Sequence, residues 1–516
     1  MNMERRRTLV ISVGDGWRDS LKRNLFWLAL AFVLLSIGSM CSFFYPYQNR
    51  VDQNCFFTVG KGMMTGWVPY RDLFEQKGPL LYFLHGLGYL ISPDSFFGVF
   101  LLEVVFMTVW FIYLYKIARL YIEPQPAALL VLAAGVFTVA ANCFLRGDNA
   151  EELCLPLLTA ALYHLLLFAR RNDGRMAPGI LFLHGFLAGC VLWIKYSMLG
   201  FWIAWIIMVF LSAWNRRPHK EAVKAFLIFA AGGIAATLPW VLYFGWHHAV
   251  GDWLYAYFYS NIFLYAKDSS LLGKYLHYLC FTVMNTALDP LMMSLIALGL
   301  WHFLRSDRFT LQERFAGLFP FIALYAGCYI GGVFYDYYML ILTPYCLFGL
   351  LFLWERFGEK VRIWHRRWGR KAPATILAAA LVITIVGGNC LLFYGKGREE
   401  YPQYQFAQIM KETPDATLLN YGFLDGGFYL AAGVMPVTKY FCELNIPPEK
   451  FPEMPKTHQR MVENGETDYV VARLGIKESS GDVPCAALYE NYAVVAEGTN
   501  IRDRYRYVLF KRKDLL

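Results

Sequence analysis

The residues best equipped for chemistry crowd into one polar stretch, 47–78, of a chain that is otherwise mostly apolar. Asp52 opens a helical pattern in which Phe56, Val59 and Met63 share one face, Gln53, Asn54 and Lys61 lie elsewhere, and Gly66 ends the run. Such a helix is expected to lie in the membrane interface rather than cross it. Pro69, Tyr70, Arg71 and Asp72 follow as a turn-rich stretch, and Lys77-Gly78-Pro79 leads into the next apolar run. A carboxylate at one end and cations at the other suit a site that deprotonates one substrate while holding an anion on another. Three further polar groupings stand out: Arg146-Gly147-Asp148-Asn149 with Glu151 and Glu152 just behind it, Lys195 at the end of an apolar run, and Tyr335-Asp336-Tyr337-Tyr338.

The elements that must position these residues are membrane helices. With 57% hydrophobic, 18% aromatic and only 17% charged residues over 516 positions, the chain is too apolar for a soluble protein and reads as a polytopic membrane protein. Eleven apolar spans are expected, at 24–45, 97–117, 125–144, 150–169, 176–194, 197–214, 221–245, 283–304, 314–333, 337–355 and 373–394. The run at 79–92 reads as an interfacial or re-entrant segment. The first span is too long for a signal-peptide core and lacks a small-residue cleavage site, so it is expected to be retained.

Charge then sets the orientation. A cytoplasmic N-terminus, carrying Arg5, Arg6, Arg7, Arg18, Lys22 and Arg23, places on the inner side Lys116 and Arg119, Arg170 to Arg175, Arg216 to Lys224, Arg305 to Arg314, and the group from Arg356 to Lys371. The outer loops hold far fewer cations, as the positive-inside rule requires. Most of the net charge of +9 is this topological excess, so it implies no nucleic-acid partner. The same orientation puts the 47–78 stretch, the 146–149 loop, an aromatic loop at 246–282, Tyr335–Tyr338 and everything after about Gly395 outside. Polar groups converging on one membrane face are what a membrane-embedded active site needs. Two parts are expected: a transmembrane module over 1–394 and an extracytoplasmic soluble α/β domain over 395–516. In the latter, strand-like stretches at 416–421, 469–472, 492–496 and 505–511 alternate with helical patterns at 404–411 and 456–463.

An acidic residue after the first span, a helix, then G-W-V-P-Y and K-G-P-L-L-Y resembles the first external loop of GT-C glycosyltransferases, above all the group of protein O-mannosyltransferases and lipid A aminoarabinose transferases. That resemblance implies an inverting transferase of a bacterial cytoplasmic membrane. Such an enzyme moves a sugar from a polyprenyl-phosphate carrier to an extracytoplasmic glycan, lipid or protein. It implies that Asp52 is the general base, with Asp148 a second carboxylate that orients the acceptor. Lys77, with Arg71, Lys195 and Arg146, would meet the donor phosphate, while Glu151, Tyr70, Tyr337 and Tyr338 line the acceptor and head-group side. Relatives often have a second acidic residue where this chain has Gln53, and a histidine where it has Asp336.

Each of these residues also has a plainer role. Asp52 can serve as a helix N-cap, Asp148 and Glu151 as a capping box, Lys77 as an interfacial snorkel and the tyrosines as an aromatic belt. A transporter or a non-catalytic membrane assembly protein would also be polytopic, but the former should show paired repeats or broken mid-membrane helices. No metal-ligand spacing or nucleotide loop occurs, so no cofactor is required, with a divalent metal left open. Of eleven cysteines most lie in apolar spans, and Cys442 and Cys485, both in the tail, are a candidate pair.

Overall fold

The computed structural model describes residues 17–267, 270–369, 371–500 and 505–516. Arg5, Arg6, Arg7, Arg370 and positions 268–269 of the expected aromatic loop lie outside the described residues. By internal contacts the chain forms two compact units, one of Met1–Ser39, Leu102–Pro239 and Asp268–Leu391, the other of Met40–Leu101, Trp240–Lys267 and Leu392–Leu516.

The first unit is a helical assembly. Among the described residues, six helical stretches are long and apolar enough to cross a bilayer: Arg18–Gly38, Phe97–Arg119, Ala150–Arg171, Pro178–Arg216, His219–Trp246 and Asp336–Trp368. Pro79–Ile91, Pro124–Ala140, Pro290–Arg305 and Lys371–Gly387 are shorter apolar helices. Pro178–Arg216 is not one rod. In a straight helix His184 and Trp205 would stand about 30 Å apart, yet their rings lie 4.9 Å apart. Lys195, with φ −158° and ψ 95°, breaks the helix and folds it into a hairpin, in agreement with the two spans expected there. Small residues allow close packing elsewhere. Helices Pro290–Arg305 and Cys346–Trp368 approach so closely that a Cβ on Gly349 would sit 2.1 Å from the Leu295 carbonyl oxygen.

Several expected bounds shift, for identifiable reasons. The first helix ends at Gly38, and residues 39–50 run on without regular structure. The span expected at 283–304 is two helices, Leu271–Leu288 and Pro290–Arg305, because Pro290 cannot continue a helix through Asp289. At 337–355 a tight 3-10 run, Asp336–Tyr345, precedes the helix Cys346–Trp368. The expected loop at 246–282 is largely helical, with Val250–Leu254 passing into a wide π-type helix over Tyr255–Tyr265.

In the second unit, all four expected strands form: β1 Leu418–Tyr421, β2 Tyr469–Gly475, β3 Tyr492–Thr499 and β4 Tyr505–Arg512. Their order is β1-β2-β4-β3, with β1 parallel to β2 and the other pairs antiparallel. Val470, Ala472 and Leu474 alternate on one face with Val508 and Phe510 beside them, and helix Glu453–Glu463 covers this face through Met461 and Val462. Tyr507 to Phe510 are buried without alternation, as a central strand covered on both faces requires.

The helix expected after Asp52 is Val51–Met64, but it is not half-exposed. Its residues from Gln53 to Gly60 are all buried. One side packs on helix Pro79–Ile91, and the other receives the tail: Thr58 donates to the Asp425 carboxylate at 2.6 Å, Lys61 to the carbonyls of Gly433 and Val434, and Tyr47 to that of Gly426. Burial pushes Asp425 up to about 6, against the opposing pull of Thr58, the Gly427 N–H and Asn420. A carboxyl whose folded pKa is raised holds its proton better folded than unfolded, so its stabilisation is full below the unfolded value near 4 and is lost as pH climbs through about 6. Wild-type protein should therefore lose about 1 kcal/mol between pH 5 and pH 7 from this group. Thermal melts of Asp425→Asn over that range should lack this decrement.

Candidate active site

Within the second unit, the 47–78 stretch is built around Tyr70. Its backbone is left-handed (φ 69°), its ring packs on Tyr82 and Phe244, and its hydroxyl donates to the Lys77 carbonyl at 2.7 Å. Tyr70 thus ties one end of the loop to the other. Arg71 forms a two-pronged pair with Asp72, both contacts at 2.8 Å, and donates its remaining terminal nitrogen to the His247 carbonyl. The guanidinium beside Asp72 holds that carboxyl below the usual range. Lys77 reaches out beside the Phe56 ring, 5.5 Å from its centroid, with its ammonium 3.9 Å from Glu75. Glu75 is in turn hydrogen-bonded by Tyr82 and by the Lys77 N–H. Asp52 lies in the first turn of its helix, but Arg50 occupies the N-cap position, so capping is not the duty of Asp52.

The first unit gathers the other candidates into two groups. Lys195 pairs with Glu151 and stands over the Tyr338 ring at 3.7 Å and the Tyr337 ring at 5.3 Å. The Glu151 side chain is 2% exposed and that of Lys195 12%, and the second Glu151 oxygen is buried without a hydrogen-bond partner among the described residues. An ammonium has three N–H donors, and Glu151 accepts one of them. This is a cation held against an aromatic face by a single carboxylate, an arrangement able to meet an anion.

The second group surrounds the 146–149 loop. Asp148 is fully buried with φ 60°, and its N–H is shared by Glu103 and Glu152, both at 2.8 Å. Ser39 donates to both oxygens of Glu103. Gly147 is required here, since a Cβ would fall 2.4 Å from Glu103 and from Ser39. The expected capping box does not form. Asn149 is the N-cap, and it is Glu152, not Glu151, that reaches back to the Asp148 N–H. Asp289 accepts from the N–H groups of Asn142 and Cys143 and so fixes the turn that delivers this loop, while Arg146 donates to the Asn389 carbonyl at 3.4 Å. Among the described residues no set of His, Cys, Asp and Glu side chains has the geometry to hold a metal.

Glu103 and Glu152 were not among the expected site residues. Glu103 had a signal: it is a carboxylate in the middle of an apolar span, where an ionisable group is costly and marks function or a dedicated partner. Cys442 does not meet Cys485; its sulfur lies 3.7 Å from that of Cys55, and Cys485 packs against the strand core.

Residues 76–243 match the family model described as dolichyl-phosphate-mannose-protein mannosyltransferase. Among curated proteins the sequence has no significant match. Two solved structures superpose over almost the whole chain. ArnT from Cupriavidus metallidurans in the apo state has a TM-score of 0.60 at 12% identity, covering 95% of this chain and 98% of that one. The same protein bound to undecaprenyl phosphate has a TM-score of 0.61 at 13% identity, covering 94% and 97%. The chain therefore has the fold of the GT-C membrane glycosyltransferases, and its segment 76–243 carries the sequence pattern of their dolichyl-phosphate-mannose-protein mannosyltransferase family.

Proposed function

We propose that this protein transfers a sugar from a polyprenyl-phosphate carrier to an acceptor outside a bacterial cytoplasmic membrane, with inversion at the anomeric carbon. The family match names a lipid-phosphate sugar donor, and a structure of the same fold holds undecaprenyl phosphate. The observation that carries the reading is the Lys195 cluster: a mostly buried ammonium with one carboxylate partner, set on two tyrosine rings, suits a phosphate monoanion entering from lipid. In the proposed reaction Asp52 takes the proton of the acceptor hydroxyl, the oxygen bonds to the anomeric carbon, and the sugar–phosphate bond breaks. The carrier leaves as polyprenyl phosphate, and a lysine ammonium meets its developing charge, Lys195 and Lys77 being the candidates. Asp148 orients the acceptor, and the tail from about Gly395 is an extracytoplasmic domain beside the donor's membrane face.

Asp52→Asn should lower kcat by about 10²–10⁴, the usual yield of general-base catalysis. The carboxylate also stands in the first turn of its helix, where an anion contributes ~1 kcal/mol of stability. Radiolabelled sugar transfer from a panel of polyprenyl-phosphate donors, with thermal melts in parallel, checks both. A folded, fully active variant refutes the base assignment.

Lys195→Met should destabilise by about 3–5 kcal/mol, since the Glu151 carboxylate then stays buried without its cation. Adding Glu151→Gln should restore most of the melting temperature. If Lys195 also holds the donor phosphate, the folded double variant should still show a donor KM raised about ten- to a hundredfold, the worth of one hydrogen bond to a charged group. A restored KM would make the pair purely structural.

A further inference from the structure

Cys55 and Cys442 are 387 positions apart in sequence, yet their sulfurs lie 3.7 Å apart and both side chains are buried. The contact is part of a docked surface within one compact unit. Cys55, Thr58 and Lys61 recur every third residue, which sets them along one face of helix Val51–Met64. Thr58 reaches Asp425, Lys61 reaches the Gly433 and Val434 carbonyls, and a Cβ on Gly62 on the same side would touch Met435. The tail segment 425–442 is thus laid along the helix, with the two sulfurs at one end of the contact. No third cysteine competes at this place; Cys485, the other tail cysteine, belongs to the strand core.

We propose that Cys55 and Cys442 form a disulfide that tethers the tail to the helix carrying Asp52. The inference rests on the orientation in the proposed function, which puts both residues in a compartment where disulfides persist. The sulfurs need to approach by about 1.7 Å to reach bonding distance. Two S–H bonds break and one S–S bond forms. The two electrons and two protons pass to the disulfide of an extracytoplasmic dithiol oxidant, which is released as its dithiol. Burial pushes both thiols above their ordinary range, so the reactive thiolate forms before the tail closes over the helix, and the finished bond is shielded from reductants afterwards. The bond would close a loop spanning three-quarters of the chain and would hold the first turn of the Asp52 helix, three residues from Cys55, against a fixed support.

The test is peptide mapping of the full-length wild-type protein, taken from membranes, alkylated while denatured without reductant, and digested. The expected result is one peptide pair joined through Cys55 and Cys442, with Cys485 alkylated. Alkylation of Cys55 and Cys442 overturns the proposal. A parallel arm separates this from failure of the orientation: an added cysteine at the exposed Lys477 (Lys477→Cys) is probed in intact cells with a membrane-impermeant maleimide. Labelling from outside, together with alkylated Cys55 and Cys442, refutes the disulfide alone. Labelling only after permeabilisation, with the two cysteines alkylated, refutes the orientation and the disulfide with it.

Discussion

A charge removed from water must be answered by a partner, and this constraint explains the polar architecture of both units. Glu103 sits within a span long and apolar enough to cross a bilayer, and the chain answers it with the Ser39 hydroxyl and the Asp148 N–H. Supplying that N–H demands a left-handed turn at Asp148 and a glycine at 147. The loop is held in shape by the carboxylates it feeds. Glu151 is answered differently, by a full cation, and the cation in turn by two aromatic faces. One turn of a single helix therefore carries two neighbouring carboxylates with different environments: one oxygen of Glu152 accepts from the Asp148 N–H, and one oxygen of Glu151 pairs with Lys195.

The same rule governs the junction between the tail and helix Val51–Met64. In a helix buried on nearly all sides, Thr58 and Lys61 donate to the tail, and the Asn54 amide nitrogen donates to the carbonyls of Gln48 and Arg50. These contacts are directional, and they set the register in which the tail lies on the helix. Sulfurs at position 55 meet their partner because the hydrogen bonds one and two turns further on have already aligned the two segments.

Much of this was legible in the sequence, and the parts that were not share a cause. The strands of the tail follow from β-branched and aromatic runs whose burial depends mainly on local alternation, so Tyr469–Gly475 and Tyr505–Arg512 were expected within a few residues. Helix Val51–Met64 was also expected, but its burial was not, because what covers Cys55 and Thr58 comes from nearly 400 residues away. The pairing of Lys195 with Glu151 joins two residues each singled out on its own, yet no spacing rule links positions 44 apart on different helices. The Asp148–Glu151 capping box failed for a local reason: a left-handed Asp148 moves the N-cap one residue on, to Asn149, and brings Glu152 into the position that Glu151 would have filled.

The four cations expected to meet a phosphate are held in ways that rank them. The Arg71 side chain uses Nε and one terminal nitrogen on Asp72 and the other on a backbone carbonyl, so three of its five N–H groups are engaged. The Asp72 pair braces the 69–72 turn and turns the most favourable edge of the fork away from a ligand. Arg146 donates its Nε to a backbone carbonyl and serves the loop it stands in. Lysine is a compact charge with three rotatable donors, and the ammonium of Lys77 stands 3.9 Å from Glu75. Lys195 keeps the rigid aromatic setting and a carboxylate whose other oxygen is still unsatisfied. A leaving phosphate gains most from donors already fixed in place, since their reorganisation is complete before charge develops. Within the proposed mechanism, Lys195 is therefore the favoured counter-charge.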